Sequence, residues 1–227
     1  MFAVPIERDN PVHATSWGVY VLVATNALIF LALAAPGAQA AALEGLGFVP
    51  ARPSMLTVFT SMFLHASLLH LLGNLFFLWM FGDNVEDLLG PLLFVAVYLL
   101  CGACGAALWW AFNAASTVPC VGASGAISGL MGLYLVFFPG AKTDLIFFIP
   151  YYRVSMSARA AIGIWFAVQI VLATALEATG LKAYVGIALW AHVGGFLAGL
   201  VLGAVFVWAG FRDRYLERYA RTDGVRV

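Results

Sequence analysis

Long apolar stretches, separated by short polar or proline-containing segments, run through almost the whole chain. Charged residues are absent from 15–43, 91–141, 160–176 and 183–211, and a helix that crosses a bilayer needs about 20 apolar residues. Runs of this length favour helices over strands. The pattern therefore predicts six spanning helices, at about Trp17 to Leu33, Phe59 to Phe81, Leu92 to Phe112, Ser124 to Phe138, Arg159 to Leu176 and Tyr184 to Trp208.

Composition agrees with a polytopic membrane protein. Of the 227 residues, 63% are hydrophobic and 10% are charged, whereas soluble domains are usually about 45–50% apolar. The formal net charge is zero and no basic run with interleaved aromatics is present, so nucleic-acid binding is set aside. We expect an all-α fold with a single domain over 1–227: a compact six-helix bundle at about 17–210 between short polar ends.

The longest predicted connection joins the first and second helices. It runs from Ala34 to Val58 and carries three prolines, Pro36, Pro50 and Pro53. Proline inside this segment prevents a continuous helix. An A-x-A pattern in AQAAAL, just after the first apolar run, leaves a cleaved signal peptide as an alternative. Arg8 has an acidic residue on each side, so this end lacks the net positive charge of a signal, and we expect the first helix to be retained.

Basic residues are distributed unequally between the two sides of the predicted bundle. Six spans place the N-terminal segment 1–16, the second and fourth loops and the tail 211–227 on one side. That side carries nine basic residues, Arg8, Lys142, Arg153, Arg159, Arg212, Arg214, Arg218, Arg221 and Arg226. The other side carries Arg52 and Lys182. Because cytoplasmic loops are enriched in Lys and Arg, we expect a multi-pass protein of the cell inner (cytoplasmic) membrane with both termini in the cytoplasm.

Four polar side chains inside the predicted helices fall at a similar depth. With a rise of about 1.5 Å per residue and an apolar core of about 30 Å, Ser124 lies roughly 9 Å below the outer surface. The same arithmetic puts His192 about 12 Å and His70 about 10 Å below it, and Asn74 is one turn deeper. Converging polar residues within a membrane indicate a functional site.

Each of these residues also has a purely structural interpretation. A serine in a membrane helix often donates to a carbonyl one turn earlier, which suits Ser128. His192 could be a hydrogen-bonded interior histidine. Glycines at positions 122, 125, 129 and 132 are typical of close helix packing. The shared depth of Ser124, His192 and His70 on three helices favours the functional interpretation.

The chemistry of these groups fits nucleophilic catalysis. A serine hydroxyl becomes a nucleophile when a base lies beside it and donors stabilise the oxyanion. His192 is the candidate base, because neutral imidazole can take a proton and return it to a leaving amine. The first-turn N–H groups near Ser124 lack helical partners, and His70 and Asn74 lie one turn apart on one helix face. Because the predicted spans provide no Asp at this depth, the sequence indicates a dyad.

Three segments resemble the motifs of a known family. HASLLHLLGN (65–74), GASG (122–125) and AHVGGFLAG (191–199) are similar, in this order and on the second, fourth and sixth spans, to the motifs of the rhomboid intramembrane serine proteases. The resemblance extends from about Arg52 to Gly203. It implies Ser124 as nucleophile, His192 as general base, and Asn74, His70 and the Ser124 N–H as the oxyanion hole.

The resemblance also carries expectations about structure and partners. It implies the six-helix core of bacterial members, with Gly122 entering the fourth helix, and with Gly195 and Gly199 matching the glycines that let the sixth helix approach the fourth, where Gly125 lies. It implies no metal or cofactor. The expected partners are membrane lipid and single-span membrane proteins, cleaved near the outer face. A small membrane transporter and a non-catalytic relative that only binds membrane segments are the alternatives.

Two features remain open. Many bacterial members carry an aromatic residue one turn after the nucleophile, stacked on the histidine, and Ser128 stands there in this chain. Orientation of His192 must then come from a hydrogen bond or from other packing. Cys101, Cys104 and Cys120 are predicted to be packing thiols, with a redox or metal role as the alternative.

Access to the site can also be predicted. We expect Ala178 to Val185 to lie above the site as a mobile cap, and the fifth helix to move aside when substrate enters from the membrane.

Overall fold

The computed structural model describes residues 3–7, 12–148, 151–179 and 187–219. Its helices are α1 (Trp17–Ala32), α2 (Ala38–Leu46), α3 (Met55–Thr60), α4 (Leu68–Leu89), α5 (Pro91–Asn113), α6 (Ser124–Phe137), α7 (Ala158–Thr179), α8 (Leu189–Trp208) and α9 (Phe211–Tyr219), with a 3₁₀ turn at Ser61–Phe63. The strands are β1 (Ala3–Glu7), β2 (Lys142–Phe148) and β3 (Tyr151–Ser157). The protein is predominantly helical.

Four helices in the described residues are long and apolar enough to cross a membrane: α4, α5, α7 and α8. The helices α1 and α6 are also apolar but contain 16 and 14 residues. Helices α1, α5 and α6 begin and end within one residue of the predicted spans. Helix α7 is longer than predicted by one residue at its start and three at its end. Helix α8 begins at Leu189 instead of Tyr184, and residues 184–186 lie outside the described part.

The second predicted span was placed too early. Helix α4 begins at Leu68, not Phe59, because Leu64 and Ser67 are extended and the Ser67 hydroxyl accepts from the His70 N–H at 3.2 Å, which is an N-cap. The helix also continues past Phe81 to Leu89. Its charged last turns are tolerated because their carboxylates accept from backbone N–H groups of the N-terminal segment and of the first turn of α1.

The prediction of an all-α fold was wrong in one region. An antiparallel sheet in the order β1–β2–β3 joins the N-terminal segment to the connection between α6 and α7. An ion pair of 2.9 Å between Asp144 and Arg153 links β2 to β3. Residues 142–157 are rich in aromatic and branched side chains around Pro150, which is a hairpin signal. The sheet forms because this connection is long enough to double back.

On one side of the bundle lie the N-terminal segment, the end of α4 and α9. The Asp87 carboxylate accepts from the N–H groups of His13 and Ala14 at 3.0 Å and from the Tyr215 hydroxyl at 3.2 Å. The β1–β2 pairing brings the α6–α7 connection to the same N-terminal segment. These contacts place the N-terminal segment, the end of α4, the α6–α7 connection and α9 on the same side of the bundle.

Helix α6 lies at the centre of the bundle. All but three of its 14 residues are buried, and it packs against α4, α5 and α8. Its buried large side chains include Leu130, Tyr134 and Phe137, while its N-terminal half consists mainly of small residues. Cys101 of α5 packs on Gly129, and all three cysteines are free thiols. The centre of the fold is therefore a short helix with a narrow N-terminal end.

The segment between α1 and α4 is not a plain loop. It contains α2 and α3, and none of its three prolines lies inside either helix. Phe48, which follows α2, forms an antiparallel bridge with Cys120, with N···O distances of 3.1 and 2.8 Å. This bridge holds the segment against the chain that enters α6. Most of the predicted cap, residues 180–185 of Ala178 to Val185, lies outside the described residues.

Candidate active site

Ser124 is the first residue of α6, and the chain reaches it through Gly122. Gly122 has φ +119°, a conformation that side chains other than glycine rarely adopt. A Cβ at this position would also lie 2.7 Å from Cε1 and Nε2 of the His70 ring. The Gly122 N–H donates to the Ser61 carbonyl at 2.9 Å. The turn thus needs glycine for its backbone angle and for the space that His70 occupies.

His192, in the first turn of α8, faces Ser124. Its Nε2 lies 2.8 Å from the Ser124 hydroxyl oxygen, which is hydrogen-bonding distance for a nucleophile and its base. Both side chains are half-buried. It is a direct side-chain hydrogen bond between two residues that the sequence singled out on different helices.

Glycines allow α6 and α8 to approach closely enough for this bond. A Cβ at Gly195 would overlap the carbonyl oxygen of Gly125, and one at Gly199 would overlap that of Gly129. Backbone therefore lies directly against backbone over at least one helical turn below the two polar side chains. This is the small-xxx-small packing that membrane helices use for close contact.

His70 and Asn74 of α4 lie on the other side of the turn that precedes Ser124. The Asn74 Nδ2 would be 3.9 Å from a Cβ on Gly122, and it donates to the His70 carbonyl at 2.8 Å. An amide nitrogen carries two hydrogens, so one remains for another acceptor. The structure thus brings an amide and an imidazole to the N-terminal end of α6. The positive end of the helix dipole and the unpaired first-turn N–H groups lie at the same place.

In the described part of the chain, Ser128 makes no hydrogen bond to the His192 ring. Its hydroxyl donates to the Ser124 carbonyl at 2.7 Å, the bond to the preceding turn that its sequence position allowed. It is 98% buried, and a serine side chain has no aromatic face that could stack on the imidazole. Some other residue must hold the ring in place.

Gln169 of α7 is hydrogen-bonded to the second nitrogen of the His192 ring. The sequence analysis did not single this residue out. Its Oε1 lies 2.9 Å from His192 Nδ1. Trp165, one turn earlier on the same helix, has its ring centroid 6.2 Å from that of the imidazole at an interplanar angle of 31°. The available signal was an uncharged amide inside an apolar span, four residues after a tryptophan.

A second histidine lies against His70 outside the spanning part of α4. His65 is 97% buried, and its ring centroid is 5.1 Å from that of His70 at an angle of 66°. Burial lowers the pKa of His65 to about 4, so its ring is neutral near pH 7 and packs as an apolar group. Its ring packs edge-on against the ring of His70.

A small cavity lies beside Ser124, toward the segment between α1 and α4. Its volume is about 20 Å³, enough for roughly one water molecule. Its lining includes Ser61, Cys120, Gly122 and Ala191. The site is therefore compact, with little space behind the serine.

Comparison with known proteins identifies the family. The family model for the rhomboid domain matches residues 52–209, more than half of the chain. The chain belongs to the rhomboid family. The resemblance of the three motifs is thereby confirmed, and Ser124, His192, His70, Asn74 and Gln169 all lie inside the matched region.

Several rhomboid-like proteins from eukaryotes are similar in sequence. The mouse presenilin-associated rhomboid-like protein, mitochondrial, is 30% identical over 129 residues, which cover 56% of this chain and 34% of that protein. RHOMBOID-like protein 6, mitochondrial, of Arabidopsis thaliana is 31% identical over 164 residues, 68% and 46% respectively. Rhomboid protein 1, mitochondrial, of Saccharomyces cerevisiae is 33% identical over 99 residues, 42% and 29% respectively. The chain spans less than half the length of these rhomboid relatives.

Proposed function

We propose that this chain is an intramembrane serine endopeptidase that cleaves single-span membrane proteins with a Ser124–His192 dyad. The 2.8 Å contact between His192 Nε2 and the Ser124 hydroxyl, made across two helices, carries the proposal. A structural serine would bond back along its own helix, as Ser128 does. Family membership supports the same reaction class, since rhomboids are generally serine proteases of this kind.

The reaction follows from the positions of these groups. Ser124 Oγ attacks the carbonyl carbon of the scissile bond while its proton passes to His192 Nε2. The tetrahedral intermediate collapses when the C–N bond breaks and His192 returns the proton to the leaving amine. Water then attacks the acyl-enzyme, His192 accepts its proton and later gives it to Ser124 Oγ. Each half-reaction returns His192 to its neutral form, the second also frees the Ser124 hydroxyl, and the net change is hydrolysis of one peptide bond.

The oxyanion is stabilised at the N-terminal end of α6. The Ser124 N–H, the free hydrogen of Asn74 Nδ2 and the His70 ring are the proposed donors. The first-turn position of Ser124 supports this arrangement, because N–H groups there have no helical partner. Fixed donors that face the developing charge usually provide the largest electrostatic contribution to acyl transfer.

We further propose that α1 and α6 cross the membrane together with the four longer helices, and that the site opens toward the extracytoplasmic side. The contacts among the N-terminal segment, the end of α4 and α9 support a shared side for both ends of the chain. The excess of basic residues on that side supports its cytoplasmic location. In this orientation Ser124 lies in the outer half of the membrane, and we propose that this membrane is the cell inner (cytoplasmic) membrane.

Cleavage of a tagged single-span test protein by the purified chain in detergent tests the function. We expect cleavage by the natural sequence and none by Ser124→Ala. Binding of the test protein without cleavage would instead support a non-catalytic rhomboid relative. Passage of a small solute through vesicles, without cleavage, would support the transporter alternative.

A further inference from the structure

The His192 ring has two described hydrogen-bond partners, one at each nitrogen. Nε2 faces Ser124 Oγ at 2.8 Å, and Nδ1 faces Gln169 Oε1 at 2.9 Å. An amide oxygen only accepts hydrogen bonds, so this pairing places the imidazole hydrogen on Nδ1. Nε2 is then left with a lone pair toward the serine hydroxyl. That tautomer is the one a general base requires.

The two partners come from different helices. Ser124 lies on α6 and Gln169 on α7, while His192 lies between them on α8. In the described part of the chain no carboxylate is bonded to the ring, and Ser128 is committed to the Ser124 carbonyl. Gln169 is thus the polar side chain that can choose between the two tautomers.

We propose that Gln169 is the positioning residue of the dyad: it accepts from His192 Nδ1–H and so holds the imidazole in the tautomer and orientation that Ser124 requires. This inference rests on the proposed function. It assigns to a neutral amide the orienting role that an Asp has in a triad. The amide suits a site inside the membrane, where an ionised carboxylate is expensive to bury.

The position of α7 therefore contributes to catalytic competence. Trp165 and Phe166, on the same helix, contact Phe196 of α8, with the Phe166 and Phe196 centroids 4.1 Å apart at 22°. These ring contacts hold the N-terminal half of α7 against α8. They thereby fix the position along α8 at which Gln169 meets His192. If α7 moves away from α8, the Gln169 bond is lost together with these contacts.

Two substitutions at position 169 separate positioning from packing. Leu is close in size to Gln but cannot accept a hydrogen bond, whereas an ionised Glu can only accept. With the tagged single-span protein as substrate, we expect Gln169→Leu to lower kcat by roughly ten- to a hundredfold with KM unchanged. Gln169→Glu should keep kcat within about threefold of the natural protein. A carboxylate stabilises the imidazolium, which cannot act as a base. As the pH is lowered, the activity of Gln169→Glu should therefore begin to fall at a higher pH than the activity of the natural protein.

Val168→Ala is the matched control. Val168 is adjacent to Gln169 but is 46% exposed on the outer surface of α7, so its loss should leave kcat and the pH profile unchanged. Equal losses in Val168→Ala and Gln169→Leu would assign the effect to the helix as a whole and overturn the proposal. Natural rates in Gln169→Leu, or no recovery in Gln169→Glu, would also overturn it.

Nitrogen NMR of protein with ¹⁵N-labelled histidine tests the inference without any cleavage. The His192 signals are assigned by their loss in His192→Ala. We expect the hydrogen on Nδ1 in the natural protein and in Ser124→Ala, and a mixture of tautomers in Gln169→Leu. A hydrogen on Nε2 in the natural protein would overturn the inference whether or not the chain is a protease. Absence of cleavage by a protein with the Nδ1–H form would overturn the proposed function alone.

Discussion

The Glu86 carboxylate, three residues before the end of α4, accepts the N–H of Gly18 at 2.7 Å. Its second oxygen accepts the N–H of Val19 at the same distance. Both N–H groups belong to the first turn of α1, where no helical carbonyl is available. A side chain from another helix thus caps α1, and Phe94 of α5 packs beside the same glycine. Helices α1, α4 and α5 are joined at this one point.

Removal of this carboxylate should destabilise the bundle without touching the site. Glu86 is 97% buried, and hydrogen bonds to a charged group contribute about 1.5–3 kcal/mol. We expect Glu86→Ala to lower the free energy of unfolding by at least this amount, measured by reversible unfolding in mixed micelles. Glu44→Ala, at an exposed position on α2, is the control. Equal stability of the two variants would contradict this account of the α1 cap.

Ser124→Ala and His192→Ala should each abolish cleavage and leave a folded, helical protein. Each substitution removes one partner of a proton transfer, and losses of several orders of magnitude are usual for such pairs. The measurement is cleavage of a tagged single-span protein, with circular dichroism as the test of folding. Undiminished cleavage by Ser124→Ala would refute the assignment of the nucleophile.

Asn74→Ala should lower kcat by roughly ten- to a thousandfold, because one oxyanion donor contributes on this scale. KM should change little, since the donor matters most when charge develops on the substrate oxygen. His70→Ala should act in the same direction. The measurement is the dependence of cleavage rate on substrate concentration. A raised KM with unchanged kcat would make both residues substrate-binding groups instead.

Much of this site could be predicted from the sequence, because its residues lie at fixed spacings within long helices. Ser124 and His192 were predicted from their depth, their chemistry and the motifs around them, and α6 begins at the residue expected. Gln169 was missed because its partner is 23 residues away on another helix, and no local spacing records such a pair. The sheet was missed for a related reason: β1 and β2 pair across more than 130 residues. Local patterns predict helices better than they predict distant pairing.

Lateral entry of substrate should depend on the outer half of α7. In the apolar part of α7, 11% of residues are buried, against 39–44% in the other three long helices, so little packing holds this helix beyond the contacts of Trp165 and Phe166 with Phe196. After replacement of the three native cysteines, a reagent that joins Val171→Cys on α7 to Leu72→Cys on α4 should block cleavage of the membrane substrate. Labelling of Ser124 by a small fluorophosphonate should continue.

Each single-cysteine protein treated with the same reagent is the control for the cross-link. Full cleavage after efficient cross-linking would mean that substrate enters elsewhere. Loss of fluorophosphonate labelling would mean that the link distorts the site, so it would not support lateral entry between α4 and α7.

Gly199→Val should abolish cleavage although it removes no catalytic group. A Cβ at position 199 would overlap the Gly129 carbonyl oxygen, and that oxygen belongs to helix backbone, which cannot rotate away as a flexible side chain can. The helices α6 and α8 must then separate. His192 lies seven residues before Gly199 on the same helix, so separation lengthens the 2.8 Å contact with Ser124.

Leu202→Val, a smaller change at a position outside this backbone contact, should leave cleavage nearly unchanged. The measurement combines cleavage of the single-span protein with fluorophosphonate labelling of Ser124. Full labelling and full cleavage by Gly199→Val would show that the distance between the two helices does not govern the dyad.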